Sequence, residues 1–277
     1  MTVLEILQST TGYFTKRGLE SPRLNAEHLI AHGLGLKRLE VYLAFERQLT
    51  ENELKPLRDL VRRRGQREPL QHLLGTVEFC DQIFRCDGRA LVPRPETEQL
   101  VEFVAAEIGG AKSVLDVGTG SGVIALALAM KLPQAGVLGV DLSPEALALA
   151  RENAEAVGLS DRVQFAESDL LAAVSGEYDA IVANLPYVSR HDRAQLAPEV
   201  LRDPEMALFG GEKGDEIMRE LIATAPSHLR PGGLLALEIG LGQDAALLED
   251  LTNKNYHDIR AKSDYGGVTR FLLARYG

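Results

Sequence analysis

The sequence has few of the residues that form disulfides or bind metal ions. It has only two cysteines, Cys80 and Cys86, among its 277 residues, and it has no tryptophan. With no second cysteine pair and no histidine cluster, these cysteines do not form a metal-ligand set. No apolar run approaches the roughly 20 residues that span a bilayer, and the first residues resemble neither a signal peptide nor a transit peptide. We therefore expect a cytoplasmic protein with free thiols and no bound metal.

The sequence has fewer basic than acidic residues. It contains 30 Lys+Arg and 40 Asp+Glu, so the net charge is −10. Proteins that coat nucleic acid are usually basic, so we expect no direct nucleic-acid partner. The imbalance is uneven, since residues 1–75 hold 12 basic and 9 acidic side chains. This front segment differs in charge from the rest of the chain, and such a difference can serve the docking of a partner.

Residues 1–75 carry the signals of a small helical bundle. Thr50 and Glu53 have the spacing of a capping box ahead of apolar residues at helical intervals. Three arginines followed by Gly65 predict the end of that helix, since cations suit a helix C-terminus and glycine suits the next position. The segment contains no catalytic motif, and we predict a separate helical domain.

The remaining chain divides into a linker and an α/β domain. Residues 76–92 predict a β-hairpin that is broken by Asp87-Gly88. In residues 93–277 apolar strands alternate with helices, which predicts a doubly wound parallel sheet. The elements expected in this domain are strands at 113–117, 136–140, 163–166, 179–183 and 234–239, helices at 122–131 and 144–157, and a closing antiparallel hairpin at 256–262 and 268–275.

The strongest local signal is a strand through Asp116 that continues into Gly118-Thr119-Gly120-Ser121-Gly122 and an apolar helix. Glycines allow a sharp turn and close approach of a ligand, and a helix N-terminus attracts an anionic group such as a carboxylate. The third glycine comes one residue earlier than in the dinucleotide-binding loop, which favours S-adenosylmethionine over NAD. The next strand ends in Asp141, whose carboxylate can accept both ribose hydroxyls.

The third strand is followed by Asp169 and Leu170. In a sheet of this kind that strand end lies beside the adenine of a nucleoside cofactor. Asp169 can accept a hydrogen bond from the exocyclic amine, and Leu170 can pack on the ring. A helix N-cap is the competing interpretation of Asp169.

The fourth strand runs directly into Asn184-Leu185-Pro186-Tyr187. An amide nitrogen is a poor nucleophile, because its lone pair is delocalised into the carbonyl. The side-chain oxygen of Asn184 and the backbone carbonyl of Leu185 can accept the two N–H groups of a planar NH2, which holds the nitrogen in line for methyl transfer. Pro186 keeps the preceding residue extended, and Tyr187 can wall one side of the amide. A purely conformational Asn/Pro turn is the alternative.

Together these patterns resemble one family, the release-factor glutamine methyltransferases (PrmC/HemK). The resemblance covers essentially the whole chain and rests on four stretches. They are Arg67-Glu68-Pro69-Leu70-Gln71-His72-Leu73-Leu74-Gly75, Leu91-Val92-Pro93-Arg94-Pro95-Glu96-Thr97-Glu98, the glycine loop with Asp116, and Asn184-Leu185-Pro186-Tyr187. The second stretch is the most discriminating, because generic methyltransferases lack it.

The resemblance implies a class I S-adenosylmethionine methyltransferase-type fold behind a helical docking domain. It implies that Arg94, Glu96 and Thr97 border the active site and contact substrate. The implied reaction is N5-methylation of the glutamine in the Gly-Gly-Gln loop of class 1 peptide chain release factors. The sequence departs from the family at Leu185, where proline is usual, and at Leu170, where an aromatic residue is usual.

Other functions remain open on the sequence alone. An RNA or DNA adenine amino-methyltransferase also presents a planar NH2 to an Asn-x-Pro-Tyr site. A ribosomal-protein glutamine methyltransferase would perform the same chemistry on another partner. A cofactor-binding docking module without catalysis is the alternative from a different class, and an NAD dehydrogenase fits the loop spacing least.

Overall fold

The computed structural model describes every residue from Met1 to Gly277. The chain forms two compact units, one of residues 1–76 with 197–202 and the other of residues 77–196 with 203–277. No helix in either unit combines the length and the hydropathy of a membrane-spanning segment.

The first unit is a bundle of helices around an apolar core. Its helices are α1 (Val3–Lys16), α2 (Pro22–Leu34), α3 (Glu40–Leu43), α4 (Glu51–Gly65) and α5 (Leu70–Leu74). Phe14, Leu29 and Leu57 are fully buried where α1, α2 and α4 meet. The capping residues act as their spacing predicts, since the Glu53 carboxylate accepts from the backbone N–H of Thr50.

Gly65 lies inside α4 and does not follow it, so its predicted role as the residue after the helix was wrong. A Cβ at Gly65 would meet the ring of Tyr13 at 2.5 Å. The glycine therefore allows α4 to pack closely against α1. Packing across the bundle accounts for this residue, and capping does not.

Residues 197–202 complete the first unit although they come late in the chain. The buried guanidinium of Arg64 donates to Asn25 Oδ1 at 2.7 Å and to Glu199 Oε1 at 3.1 Å. Arg67 donates to the same Glu199 oxygen at 3.0 Å, and Arg202 donates to the backbone carbonyl of Gln66. Removing these partners would leave a buried, unpaired guanidinium and would strongly destabilise the folded protein.

The predicted hairpin exists, but its turn lies elsewhere. Strands β1 (Thr76–Phe79) and β2 (Gln82–Arg85) are joined by Cys80 and Asp81, whose φ angles are +48° and +60°. Two consecutive residues with left-handed angles form a tight two-residue turn, whose geometry matches the right-handed twist of the paired strands. The expected break at Asp87-Gly88 falls after the hairpin, in a segment without strand structure.

The second unit is built on a seven-stranded sheet with the spatial order β10-β11-β9-β6-β3-β4-β5. Five neighbouring strands are parallel, and β11 and β10 add an antiparallel hairpin at one edge. The strands are β3 (Ser113–Val117), β4 (Gly136–Asp141), β5 (Val163–Glu167), β6 (Tyr178–Ala183), β9 (Leu229–Glu238), β10 (Tyr256–Ser263) and β11 (Thr269–Tyr276). The doubly wound sheet and its terminal hairpin are confirmed.

Helices cover both faces of this sheet. One face packs against α6 (Pro95–Glu107), α7 (Val123–Lys131) and α8 (Pro144–Ala156), and the other against α9 (Glu216–Thr224) and α10 (Asp244–Asn253). Alternate strand residues serve opposite cores, so Val114 joins the first cluster and Leu115 the second. Burial on both faces explains why the strands are continuous apolar runs.

The parallel strands all end at the same edge of the sheet, and this edge holds the polar motifs. The order of connection reverses between β3 and β6, which is the position where open α/β sheets bind ligands. Beyond β6 the chain forms β7 (Val188–Ser189), which pairs with β8 (Phe209–Gly211). The loop from Asn184 to Tyr187 is therefore flanked by a second, small sheet.

Candidate active site

A cavity of about 330 Å³ opens at the carboxyl edge of the parallel strands, within the second unit. Its volume is in the range of small-molecule sites. Most of the residues expected at the site line it together. These are Arg94, Thr97, Gly118, Thr119, Gly120, Ser121, Asp141, Asp169, Leu170, Asn184, Leu185 and Pro186. Four expected residues, Glu96, Asp116, Gly122 and Tyr187, do not line the cavity.

The Asp141 carboxylate is held in place by the backbone. Its Oδ2 accepts from the N–H of Gly120 at 2.8 Å, and its Oδ1 accepts from the N–H of Ser143 at 2.9 Å. Each oxygen keeps further acceptor capacity, and the residue lines the cavity. A fixed carboxylate of this kind fits the vicinal hydroxyls of a ribose.

Asp116 supports the glycine loop from below and is fully buried. Its Oδ2 accepts from the Thr119 hydroxyl at 2.6 Å and from the backbone N–H of Ala125 at 3.1 Å, while Oδ1 has no partner. Burial raises the pKa of this carboxyl to about 7, against the lowering effect of these hydrogen bonds. Asp116 therefore supports the turn through these hydrogen bonds and does not line the cavity.

The glycines of the loop are required by backbone geometry. Gly118, Gly120 and Gly122 have φ angles of +71°, +55° and +81°, which side chains disfavour. A Cβ at Gly118 would approach Leu185 Cδ2 at 2.7 Å. Leu185 thus packs directly beneath the glycine loop, which ties the two motifs together through a side chain.

The end of β5 contributes an acidic and an apolar residue to the cavity. Leu170 has a φ of +46°, a strained conformation for a non-glycine residue. The Ser168 hydroxyl accepts from the N–H of Ala173. No helix follows Asp169, so the N-cap interpretation of that residue was wrong. Asp169 is exposed at the cavity wall.

Asn184 is anchored by a chain of buried side chains. Its Nδ2 donates to Thr97 Oγ1 at 3.1 Å, and the Thr97 hydroxyl donates to Glu238 Oε2 at 2.7 Å. Thr97 and Glu238 are 3% and 1% exposed. Burial raises the pKa of Glu238 to about 7. No protein group donates to Asn184 Oδ1, so the amide oxygen remains free to accept.

The loop that carries Asn184 is supported from behind. A Cβ on Gly210 would overlap the carbonyl oxygens of Pro186 and Gly214. Gln243 donates from Nε2 to the backbone carbonyl of Tyr187 at 2.9 Å. The backbone of this loop is therefore fixed by a glycine contact on one side and an amide on the other.

Arg94 lines the cavity and is held by Asp203. Its guanidinium donates to Asp203 Oδ2 at 2.8 Å, and the side chain of that aspartate is only 1% exposed. The same carboxylate accepts from the backbone N–H of Val92 at 3.4 Å. This pair fixes the proline-bracketed turn that opens α6.

Sequence reasoning missed several residues of the site. Arg190 and Phe209 line the cavity and lie within cation–π distance, at 6.0 Å from guanidinium to ring centroid. Met206 and Ser168 also line it. Only the acidic residue at the end of the fifth parallel strand, Glu238, carried a recognisable signal, through its position at a carboxyl end.

The cysteines are unsuited to catalysis. Burial raises the pKa of Cys80 to about 11 and of Cys86 to about 12, so both are protonated at neutral pH. The structure contains no group of three or more His, Cys, Asp or Glu side chains that could hold a metal ion.

The sheet order and the site together define the class of the protein. This strand order, with a glycine turn after β3 and a carboxylate after β4, is that of a class I S-adenosylmethionine-dependent methyltransferase. The PrmC N-terminal domain matches residues 5–75, and the methyltransferase small domain matches residues 95–212. The release factor glutamine methyltransferase of Geobacter sulfurreducens is 41% identical over 278 residues, covering 100% of this chain and 97% of that protein. The chain belongs to the release factor glutamine methyltransferase family.

One further comparison agrees with this family, and another agrees with the fold of the second unit. The release factor glutamine methyltransferase of Deinococcus radiodurans is 42% identical over 277 residues, which is 99% of each protein. The solved structure of the ribosomal protein L11 methylase from Lactobacillus delbrueckii subsp. bulgaricus is 26% identical, with a TM-score of 0.51. It covers 66% of this chain and 81% of that chain. The partial coverage fits a catalytic fold shared among methyltransferases with different partners.

Proposed function

We propose that the protein uses S-adenosylmethionine to methylate the N5 nitrogen of a glutamine side chain in class 1 peptide chain release factors, in the cytoplasm. The target is the glutamine of their Gly-Gly-Gln loop. Relatives aligned over the whole chain are named release factor glutamine methyltransferases. The observation that carries the proposal is the Asn184 amide, whose NH2 is engaged by Thr97 while its oxygen is free at the cavity.

The residues around the cavity suit a nucleoside cofactor. Asp141 presents a carboxylate for the ribose, and Asp169 and Leu170 supply an acceptor and an apolar surface for the adenine. The left-handed glycine turn gives room for the methionine end beside the start of α7. When bound, S-adenosylmethionine supplies an electrophilic methyl group on its sulfonium sulfur.

The catalytic contribution of the chain is orientation. Asn184 Oδ1 and the Leu185 carbonyl accept the two N–H groups of the glutamine amide, which turns the nitrogen lone pair toward the methyl. Orienting two reactants in this way supplies about 7–11 kcal/mol of a barrier. Fixed acceptors also stabilise the positive charge that develops on nitrogen. The proton leaves to water after the transfer, so no general base is needed beforehand.

Leucine at position 185 is compatible with this role. The atom required there is a backbone carbonyl, which any residue supplies. Pro186 keeps Leu185 extended, and the leucine side chain is buried beneath Gly118. Arg94, held by Asp203, has further N–H groups for a carbonyl of the substrate chain. We assign the docking of the release factor to the helical unit.

The proposal is tested by mass spectrometry of a purified class 1 release factor after incubation with enzyme and S-adenosylmethionine. We expect a mass gain of one methyl group on the Gly-Gly-Gln peptide. A release factor with that glutamine replaced by glutamate lacks the NH2 and should remain unmodified. Ribosomal RNA and ribosomal proteins serve as parallel substrates. Methylation of either of them, with none on the release factor, would refute the proposal in favour of the competing activities.

Asn184→Ala provides the matched enzyme control. Loss of a preorganised transition-state contact typically lowers kcat by about 100- to 1,000-fold. We expect the Kd for S-adenosylmethionine, measured by calorimetry, to change much less. Equal losses in turnover and in cofactor binding would contradict the role given to this residue.

A further inference from the structure

Thr97 and Glu238 form a buried polar pair between α6 and the end of β9. Burying polar groups costs free energy unless they are hydrogen-bonded. The two residues are 141 positions apart in sequence, and neither caps a helix. Their hydrogen bonds lead to one place, the Asn184 amide at the cavity wall.

The direction of these hydrogen bonds determines how Asn184 is turned. The Thr97 hydroxyl has a single proton and donates it to Glu238 Oε2. Its oxygen is then left as an acceptor, and the group that donates to it is Asn184 Nδ2. The amide oxygen of Asn184 must therefore point away from Thr97.

We propose that Thr97 and Glu238 are positioning residues that hold the Asn184 amide with its oxygen toward the reacting nitrogen. The inference rests on the proposed function, since it takes that oxygen as the acceptor of the substrate N–H. Neither residue touches the methyl group or the amide being modified. Thr97 acts by orienting Asn184. Glu238 acts by fixing the direction of the Thr97 hydroxyl, and it also accepts directly from the Asn184 side chain.

An acid at position 238 adds an electrostatic effect that a neutral acceptor lacks. A carboxylate at the end of the chain polarises both hydrogen bonds and increases the negative charge on Asn184 Oδ1. That charge strengthens the bond to a substrate nitrogen that becomes positive. The ionised form of Glu238 is thus the form that supports methyl transfer.

The groups that face Glu238 come from three neighbouring elements. Glu96 and Thr97 lie on α6, Arg270 on β11 and Tyr187 on the loop after β6. Burial raises the Glu238 pKa to about 7, and Glu96 adds to this, while Thr97, Arg270 and Asn184 oppose it. Arg270 is also paired with Asp264 at 2.9 Å, so it neutralises Glu238 only in part.

Kinetic measurements on a release factor test the proposal. Thr97→Val removes the hydroxyl with little change in shape, and we expect kcat to fall by roughly 10- to 100-fold. Thr97→Ser restores the hydroxyl and should recover most of that loss. Thr252→Val, on the exposed side of α10, is the matched control and should leave kcat unchanged. The Kd for S-adenosylmethionine should change by less than about threefold in every variant.

The pH profile separates a positioning role from a merely structural one. For wild type, kcat should rise about tenfold from pH 6 to pH 8, as Glu238 with a pKa of about 7 becomes ionised. Glu238→Gln keeps the size of the side chain but does not titrate. Its profile should be flat over this range, at or below the wild-type value at pH 6.

A substrate-free readout keeps this inference distinguishable from the proposed function. The side-chain NH2 signal of Asn184, in protein labelled with ¹⁵N-asparagine, is assigned by its loss in Asn184→Ala. It should shift with pH around 7 in wild type, lose that titration in Glu238→Gln and move in Thr97→Val. A signal that neither titrates nor responds to Thr97→Val overturns the inference, as does an unchanged kcat in Thr97→Val. If the signal behaves as expected but the release factor is not methylated, the proposed function fails, whereas the control of the Asn184 amide by Thr97 and Glu238 is supported.

Discussion

At the scale of single residues, hydrogen-bond direction carries more information than residue type. Asn184 was predictable from the sequence because it directly follows a strand and lies two residues before a proline. The orientation of its amide was not, since it depends on Thr97, which lies 87 positions earlier. Glu238 was recognisable only as an acid at a strand end. Local patterns identify Asn184 as a candidate site residue but do not show its hydrogen bond to Thr97.

Asp141 provides a direct test of the cofactor site. Asp141→Ala removes an acceptor held by two backbone N–H groups. A hydrogen bond to a charged group is worth about 1.5–3 kcal/mol, so the Kd for S-adenosylmethionine should rise by roughly 10- to 100-fold. Isothermal titration calorimetry measures this change. Asp161→Ala makes the same substitution at an exposed site, and an equal effect there would contradict the ribose contact.

Asp116 should make stability depend on pH in an unusual direction. In the fold its pKa is about 7, against 3.8 as the ordinary value, because of burial. The folded state therefore holds a proton that the unfolded state releases, and the stability from this group is present below pH 4 and lost as pH rises through 7. The free energy of unfolding of Asp116→Asn, relative to wild type, should increase by on the order of 3 kcal/mol from pH 4 to pH 8.

Urea denaturation at several pH values measures this difference. Asp161→Asn, at an exposed position, should follow the wild-type profile throughout. A constant difference between Asp116→Asn and wild type would show that Asp116 is ionised in the folded protein even at low pH. Glu238 contributes in the same direction, because burial also raises its pKa.

At the scale of elements, the strands of the second unit and the residues at their carboxyl ends were predicted best. The parallel strands followed from apolar runs separated by helices, and their carboxyl ends brought the glycine loop, Asp141 and Asn184 to one cavity. The β1–β2 turn was placed wrongly because Asp-Gly is the stronger turn signal. Cys80 and Asp81 adopt left-handed backbone angles, which their residue types do not predict.

The small β7–β8 sheet had no sequence signal, yet Gly210 of β8 packs closely against the backbone of the Asn184–Tyr187 loop. Gly210→Ala would drive a Cβ into the carbonyl oxygens of Pro186 and Gly214. Overpacking of this kind destabilises by about 1–3 kcal/mol. Because the displaced atoms belong to the loop that follows Asn184, kcat should fall as well.

Thermal denaturation and release-factor methylation assays measure the two effects of Gly210→Ala. Gly110→Ala is the matched control, since a Cβ there meets nothing within 4 Å. Stability and kcat should both remain near wild type in that variant. An active Gly210→Ala enzyme would show that the loop adapts and that its backbone position is not decisive.

At the scale of the whole molecule, composition and a resemblance over the full length agreed with the fold. Net charge and hydropathy alone indicate only a globular protein. The sequence predicts a helical domain over residues 1–75, and the compact unit that contains this segment also includes residues 197–202, which no periodicity could have linked to it. Contacts between distant parts of a chain are the aspect of structure that local patterns do not encode.

Deletion of residues 1–75 tests the docking role proposed for the helical unit. We expect a KM for the whole release factor that rises at least about tenfold, through loss of contacts away from the target glutamine. The kcat/KM for a short Gly-Gly-Gln peptide should change little, because it engages only the cavity. Binding of S-adenosylmethionine reports whether the shortened chain is folded. A parallel loss on peptide and protein would indicate damage to the catalytic unit and not to docking.

Glu199 follows Arg64 by 135 residues, and this separation has a consequence for synthesis on the ribosome. At about 5–20 residues per second, translation needs on the order of ten seconds to travel from one to the other. During that interval the emerging bundle carries an arginine whose acidic partner does not yet exist. The amino-terminal unit therefore gains its last six residues, 197–202, only after much of the second unit has been synthesised. Its folding cannot be completed before that point.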